Sequence, residues 1–532
     1  MRVRTAQALV FVFGSTLTIG VLAACGTPEN ASDEASGRPV CSLESLPPLP
    51  DVRILSVTPE NGGVPHCKVA GLIGTETNFE LLLPDDWNGK FVMGGGGGFV
   101  GSVVNTALMF GPLQAGYATA GTDTGHQAHA LDASWALNNL ERIVSFGYQA
   151  VHRTAVTAQA LIAAYYGRES SRDYFFGCSR GGGQALMEAQ RYPEDFDGIV
   201  AGAPAYNWTH ELGARNTWIN QVMYPSPNDL SVASISPDEA QLIGNAVLEQ
   251  CDGLDGLEDG ILNNPLLCDF DVASLACEVG ETEVCLSHQD VAAAKRIYDD
   301  PYIQGERIFP GMPPGGELSP FGWNLWLTGG LDLLVDVDDF QEGARTESDF
   351  PEPVTPNAHF AFGNGVMKYL VLHDPDWDYT EYTFESFQSD IAAVAPTLNA
   401  TDPDLTDFRE QGGKLLLWTG WGDMALSPLG TIEYYEQVLE RDPSASEDVR
   451  LMMLPGVDHC AGGVGPSWVN FLDEIDKWVE TDDAPEQLTA YWLNDQRQPD
   501  GSRPVCAYPN HLRYNGTGDT RDASSFSCVS PD

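Results

Sequence analysis

After residue 50 the chain alternates short apolar runs with polar breaks. Runs at 52–57, 80–83, 90–93 and 117–120 each read as a strand, with Gly, Pro or Asp close to their ends. Between residues 144 and 166 apolar positions recur every three or four residues, the period of an amphipathic helix. Residues 173–176 then read as a strand, 182–192 as a helix and 198–201 as a buried strand. Strand, helix, strand at these spacings predicts a parallel sheet with helices on its faces.

From 206 to 404 the rhythm changes. Pro- and Gly-rich stretches such as 309–316 appear, together with four cysteines and Trp208, Trp218, Trp323, Trp326 and Trp377. This reads as an inserted second domain. The α/β rhythm resumes with a strand at 413–418, a helix at 429–439 and a strand at 449–454, and an amphipathic helix is expected at 467–479. The partition is therefore 51–205 and 405–532 for one α/β domain, with 206–404 inserted into it.

The first residues predict export. Arg2 and Arg4 precede an apolar run from 6 to 24, the pattern of a signal peptide over residues 1–24. Its end, Leu22-Ala23-Ala24-Cys25, resembles a bacterial lipobox, in which the cysteine is lipidated and begins the mature chain. Residues 25–50, rich in Gly, Pro, Ser, Glu and Asp, read as a flexible tether. No later stretch is apolar for eighteen residues.

The cysteines agree with export. Setting Cys25 aside leaves ten, an even number. Sequence-near pairs are Cys41–Cys67, Cys251–Cys268, Cys277–Cys285 and Cys506–Cys528, which leaves Cys178 with Cys460. There is no C-x-x-C pair to suggest a zinc ribbon or a thioredoxin-type site.

Composition narrows the partners. The chain has 532 residues, 27 Lys+Arg against 76 Asp+Glu, and a formal net charge of -49. Phosphate backbones are held by Lys and Arg, so nucleic acid is excluded as a partner. A polybasic membrane patch is excluded too, which leaves the lipid anchor as the one membrane contact. The acidity is spread along the chain and reads as a solvated face. At 43% apolar residues the chain is too hydrophobic for global disorder.

Gly177-Cys178-Ser179-Arg180-Gly181 matches G-x-S-x-G, the nucleophile elbow. So glycine-rich a chain would show the pattern by chance about 0.4 times. The context is what makes it informative, because a predicted strand precedes and a predicted helix follows. An elbow serine needs an acid and then a histidine later in the chain. Asp423 follows the strand at 413–418, and His459 follows the strand at 449–454. Asp458 is a rival acid, but adjacent side chains point apart, which favours Asp423. A Cys178–Cys460 bridge would hold the serine loop against the histidine loop, with Cα atoms about 5–6 Å apart. The oxyanion hole needs two backbone N–H groups. Arg180 is expected to supply one, and the run Gly94 to Gly98 the other, with Gly98 as the choice. No Gly-Lys-Ser/Thr follows that run, which excludes a P-loop.

Asp252, Asp255 and Asp259 alternate with glycines between Cys251 and Cys268. Hard cations take several oxygens around such a turn, so a structural calcium loop is expected, although the spacing is not that of an EF-hand.

Together these residues resemble the tannase and feruloyl esterase family of α/β-hydrolases, which includes mono(2-hydroxyethyl) terephthalate hydrolase. The resemblance rests on Gly177-Cys178-Ser179-Arg180-Gly181-Gly182, on Arg191-Tyr192-Pro193-Glu194-Asp195-Phe196-Asp197-Gly198-Ile199, on Ala201-Gly202-Ala203-Pro204-Ala205 and on Asp374-Pro375-Asp376-Trp377-Asp378-Tyr379. It implies an α/β-hydrolase fold with 206–404 as a lid. It implies a Ser179–His459–Asp423 triad beside a Cys178–Cys460 bridge, and calcium held by the side chains of Asp252, Asp255 and Asp259 and the carbonyls of Leu257 and Ile261.

The substrate expected is a small aromatic ester, feruloyl type first. Galloyl and terephthalate half-esters are the alternatives, and a non-catalytic phenolic- or carbohydrate-binding lipoprotein is the competing class. A terephthalate carboxylate would call for a lid cation, for which Arg215, Arg296, Arg307, Arg345 and Lys368 are the candidates. Leu426 stands where an aromatic clamp would be expected for that substrate.

Overall fold

Nine strands build the central sheet: β1 (Val52–Glu60), β2 (His66–Ile73), β3 (Thr77–Pro84), β4 (Lys90–Gly94), β5 (Ala118–Thr122), β6 (Arg172–Cys178), β7 (Gly198–Gly202), β10 (Lys414–Gly420) and β11 (Val449–Leu454). Their order is β1-β2-β3-β5-β4-β6-β7-β10-β11. The computed structural model describes residues 39–278, 285–329 and 355–531. The signal segment, Cys25, most of the tether and Arg345 lie outside the described residues.

The sheet is mixed, not parallel throughout. β1, β2, β3 and β5 pair antiparallel, and every pairing from β5 to β11 is parallel. The cause lies in the connections. Short turns join β1 to β2 and β2 to β3, whereas parallel neighbours need crossovers. β2 was not predicted. Its buried and half-buried residues alternate along the strand, and His66, Lys68 and Gly71 dilute the apolar signal. β7 and β10 are buried at every residue, as central parallel strands are.

Helices cover both faces. Ala150–Tyr166 and Arg180–Arg191 pack Leu161, Ile162, Leu186 and Met187 against Val69, Leu81, Phe91 and Phe175. On the other face Phe471–Thr481 sets Ile475 and Trp478 against Tyr174, Val200, Leu416 and Met452. The helix expected at 144–166 begins earlier, with Leu140–Val144, passes through a wider turn, Ser145–Gln149, and ends at Gly167, whose φ of +71° caps it. The last helix starts at Phe471, four residues later than its periodicity suggests.

The segment between β7 and β10 carries the helices Trp208–Arg215, Asn216–Met223, Pro237–Cys251, His288–Tyr298 and Ala358–Gly365 and a small ribbon, β8 (Tyr302–Ile303) with β9 (Glu306–Arg307). Ser236 and Glu239 form a capping box at the start of Pro237–Cys251. One apolar cluster joins Trp208, Leu212, Trp323, Trp326 and Phe362 of this segment to Phe99, Ala425 and Leu426 in loops after the strands and to Phe146 in the helical turn Ser145–Gln149. Two ribbons end the chain, β12 (Gln487–Leu493) with β13 (Pro499–Cys506) and β14 (His511–Tyr514) with β15 (Phe526–Val529). Five disulfides are formed: Cys41–Cys67, Cys178–Cys460, Cys251–Cys268, Cys277–Cys285 and Cys506–Cys528.

Candidate active site

β6 runs straight into the helix Arg180–Arg191, and Ser179 is the one residue between them. Its φ of +61° and ψ of -123° are strained for a residue with a Cβ. Backbone bonds hold it there: Ser179 N–H donates to Gly202 O at 3.0 Å, and Ser179 O accepts from Ala205 N–H at 2.9 Å. Gly177 is obligatory beside so tight a turn, since a Cβ there would lie 2.4 Å from Gly181 O.

Asp423 follows β10 and is wholly buried. Its Oδ1 accepts from Ala425 N–H at 2.9 Å and Leu426 N–H at 3.0 Å. Its Oδ2 lies 2.8 Å from His459 Nδ1, in the loop after β11. This fixes the imidazole with Nδ1 as donor and leaves Nε2 for chemistry. The Cys178–Cys460 bridge, with Cα atoms 5.9 Å apart, ties the loops on either side of Ser179 and His459.

Asp458 turns the other way and meets Ser319 Oγ of the inserted segment. Burial pushes its carboxyl up to about 7, and the Asp423 charge adds to the rise. The two neighbouring carboxylates therefore differ in role, one accepting from the imidazole and the other held by a serine.

Ser179, Arg180, Gly98 and His459 line part of one cleft. Ala205, Trp208, Leu212, Trp326, Phe362, Ala425 and Leu426 line the rest, so its walls are largely apolar. Trp326 stands edge-on to the His459 ring, with centroids 5.3 Å apart. Ser179 Oγ and His459 share this cleft without a direct hydrogen bond among the described residues. Such contacts commonly tighten only in the Michaelis complex.

The glycine run has few free amides. Gly95 N–H donates to Phe176 O, Gly96 N–H to Gln184 Oε1, Phe99 N–H to Ala130 O and Val100 N–H to Gly97 O. Gly98 lines the cleft with Arg180, the first residue of its helix, where amides lack an intrahelical acceptor. Gly98 has φ of +53°, and a Cβ there would sit 2.4 Å from Ala130 O.

The Arg180 guanidinium is buried, donates to Phe146 O and Gly147 O, and lies 4.2 Å above the Phe146 ring. Burial without a carboxylate partner lowers it to about 9. None of the described cations of the insertion lines this cleft, and the Arg215 guanidinium, wholly buried, has no hydrogen-bond partner among the described residues. Arg215 is buried near Glu211 and Asp423, Arg296 donates to Trp218 O at 2.8 Å, Arg307 pairs with Asp300 and Glu433, and Lys368 lines an outer cleft beside Trp377.

Asp252, Asp255 and Asp259 lie on the loop closed by Cys251–Cys268, but each carboxylate is partly committed. Asp252 accepts from Gly260 N–H at 2.9 Å, Asp255 from Leu257 and Asn263 N–H at 3.1 Å each, and Asp259 from Ile261 N–H at 3.3 Å. Asp259 also pairs with the Arg503 guanidinium. Burial pushes Asp255 up to about 6, with the Asp259 charge adding. The oxygens suit a hard cation, while Arg503 occupies part of the set.

Sequence reasoning missed Ser319 and the cleft-facing roles of Trp208, Trp326 and Phe362. Their sequence neighbours carry no periodic signal, and only packing of the insertion brings them to the serine.

The model of the tannase and feruloyl esterase family matches residues 63–529. The chain is 32% identical to an uncharacterized esterase of Xanthomonas campestris pv. campestris, over 90% of this chain and 86% of that one. It is 32% identical to the mono(2-hydroxyethyl) terephthalate hydrolase of Piscinibacter sakaiensis, over 88% and 85%. Among solved structures, feruloyl esterase B from Aspergillus oryzae superposes with a TM-score of 0.77 at 25% identity, covering 91% of this chain and 97% of that one. An α/β sheet with an elbow serine, an Asp423–His459 pair at the same cleft and a family match across most of its length make this chain a carboxylic ester hydrolase of the tannase and feruloyl esterase family.

Proposed function

We propose that the chain is an exported serine esterase that cleaves esters of uncharged aromatic acids, feruloyl type first. Ser179 attacks the ester carbonyl. His459 Nε2 takes its proton and returns it to the leaving alcohol, and Asp423 steadies the imidazolium. The amides of Gly98 and Arg180 receive the oxyanion. Water then repeats the sequence on the acyl-enzyme. The observation that carries this reading is the Asp423–His459 hydrogen bond beside an elbow serine in one apolar cleft.

The cleft supports the substrate class. Trp208, Trp326 and Phe362 offer ring faces and edges to an aromatic acyl group. Arg180 is the one Lys or Arg among its described lining residues, and its guanidinium serves backbone carbonyls. A free carboxylate on the acyl ring would find no bidentate partner there. The test is a panel of methyl ferulate, methyl gallate and mono(2-hydroxyethyl) terephthalate, with Ser179→Ala as control. Methyl ferulate should give the highest kcat/KM and the terephthalate the lowest. A terephthalate preference overturns the substrate assignment, and full activity in Ser179→Ala overturns the mechanism.

Export with a lipid anchor at Cys25 belongs to the same proposal. Five disulfides support an oxidising compartment. Calcium at Asp252, Asp255 and Asp259, with the Leu257 and Ile261 carbonyls, is proposed as a structural ion. The gathered acidic oxygens support it.

A further inference from the structure

The segment inserted between β7 and β10 does more than wall the cleft. It also grips the stretch of chain that carries Asp423. Asp423 fixes its own loop by accepting from Ala425 and Leu426 N–H, and the next residue leads out of that turn. There Ser427 N–H donates to Glu211 Oε1 at 2.7 Å, and Ser427 Oγ donates to Gly311 O at 2.5 Å. His359 Nε2 lies 3.2 Å from Ala425 O, so it must carry the proton and donate. Glu211, Gly311 and His359 all belong to the inserted segment, and Glu211 and His359 are each no more than 1% exposed.

We propose that Glu211, aided by His359, is a positioning residue for the triad: it holds the turn Asp423–Ser427 so that Asp423 Oδ2 meets His459 Nδ1. The inference rests on the triad reading above. Three features of the site favour positioning over simple filling of space. First, the contact is to a backbone amide, which fixes chain position and not only side-chain volume. Second, the site is buried and electrically crowded. Burial pushes Glu211 up to about 8, while Arg215, one turn along the same helix, pulls it down. Third, the Trp326 ring neighbours both imidazoles, 5.9 Å from His359 and 5.3 Å from His459, so movement of this wall reaches the base.

Burial favours the neutral carboxyl at Glu211, which an amide mimics closely, and this makes Glu211→Gln the informative conservative change. Its Oε1 still accepts from Ser427 N–H. Glu211→Leu keeps the approximate volume and removes the acceptor, leaving that buried amide unpaired. Misplacement of a catalytic group by about 1 Å costs on the order of a hundredfold in rate.

The experiment measures kcat and KM on methyl ferulate for the wild-type chain, Glu211→Leu, Glu211→Gln, His359→Phe and Asp423→Asn. Positioning predicts that Glu211→Leu loses roughly 10- to 100-fold in kcat with KM within about threefold. Glu211→Gln should stay within about threefold of wild type in both constants. A folded Glu211→Leu with wild-type kcat overturns the proposal. If Glu211→Leu does not fold, His359→Phe carries the same test, with unchanged kcat as the contrary result. Glu211→Gln decides in either case, because a loss beyond about tenfold there means that charge and not the acceptor matters, which overturns the proposal as stated. Asp423→Asn separates the two readings. Full activity in that variant removes the triad itself, whereas an inactive Asp423→Asn beside a fully active Glu211→Leu removes only the role given to Glu211.

Discussion

Removing the Cys178–Cys460 bridge should damage stability and rate together. The bridge joins residues 282 apart, the longest span of the five. Chain-entropy scaling gives a span of that length about 5–6 kcal/mol of stabilisation. Unfolding entropy near 2.1 cal/mol/K per residue amounts to about 1.1 kcal/mol/K for a chain of this size. Cys178→Ala with Cys460→Ala should therefore lower Tm by about 5 °C. The Cys506–Cys528 bridge supplies the control. It spans 22 residues in the C-terminal ribbons and contributes nothing to the lining of the cleft. The same scaling gives it about 3 kcal/mol, or about 3 °C. The two variants should separate in activity. Losing the first bridge frees the elbow from the histidine loop and should cost about tenfold or more in kcat, while losing the second should leave kcat unchanged. Calorimetry without reductant and initial rates on methyl ferulate measure both. A folded chain without the Cys178–Cys460 bridge that keeps wild-type kcat would refute the positioning argument.

Gly98→Ala should lower kcat by about a hundredfold with little change in KM, because a Cβ would sit 2.4 Å from Ala130 O and displace the proposed oxyanion donor; steady-state kinetics measures it. Asp458 binds its proton more tightly in the folded chain than the usual carboxylate range, so the folded state loses stability as pH rises from about 4 towards 7. Asp458→Asn should remove that loss, with a Tm close to wild type near pH 4 and higher than wild type above pH 7 in a melting series. Chelation should lower Tm by about 2–3 °C relative to a calcium-saturated sample, reversed by added calcium, and an unmoved Tm with no calcium by elemental analysis argues against the proposed ion.

Much of the hydrolase part was legible in the sequence because its signals are local. β6, the elbow and the following helix occupy consecutive residues, and apolar runs mark β7, β10 and β11 as buried strands. Asp423 and His459 could be chosen because chain order fixes which late loops lie at the cleft. β2 escaped because one of its faces is only half-buried, and β12 to β15 escaped because polar and half-exposed positions interrupt their short apolar patterns. The cleft wall escaped for a different reason. Trp208, Trp326 and Phe362 are far apart in sequence, and each looks like any buried aromatic until the insertion folds. The grip of Glu211 on Ser427 is likewise long-range, across 216 residues, with no motif at either end.

The central claim is that Ser179 is the nucleophile of an acyl-enzyme pathway. Labelling with a fluorophosphonate, followed by peptide mass spectrometry and residual activity on methyl ferulate, tests it most directly. The account predicts one adduct per chain, on the peptide containing Ser179, with activity falling in step with labelling and no adduct in Ser179→Ala. A labelled chain that keeps full activity, or a Ser179→Ala chain that hydrolyses the ester at the wild-type rate, would contradict it.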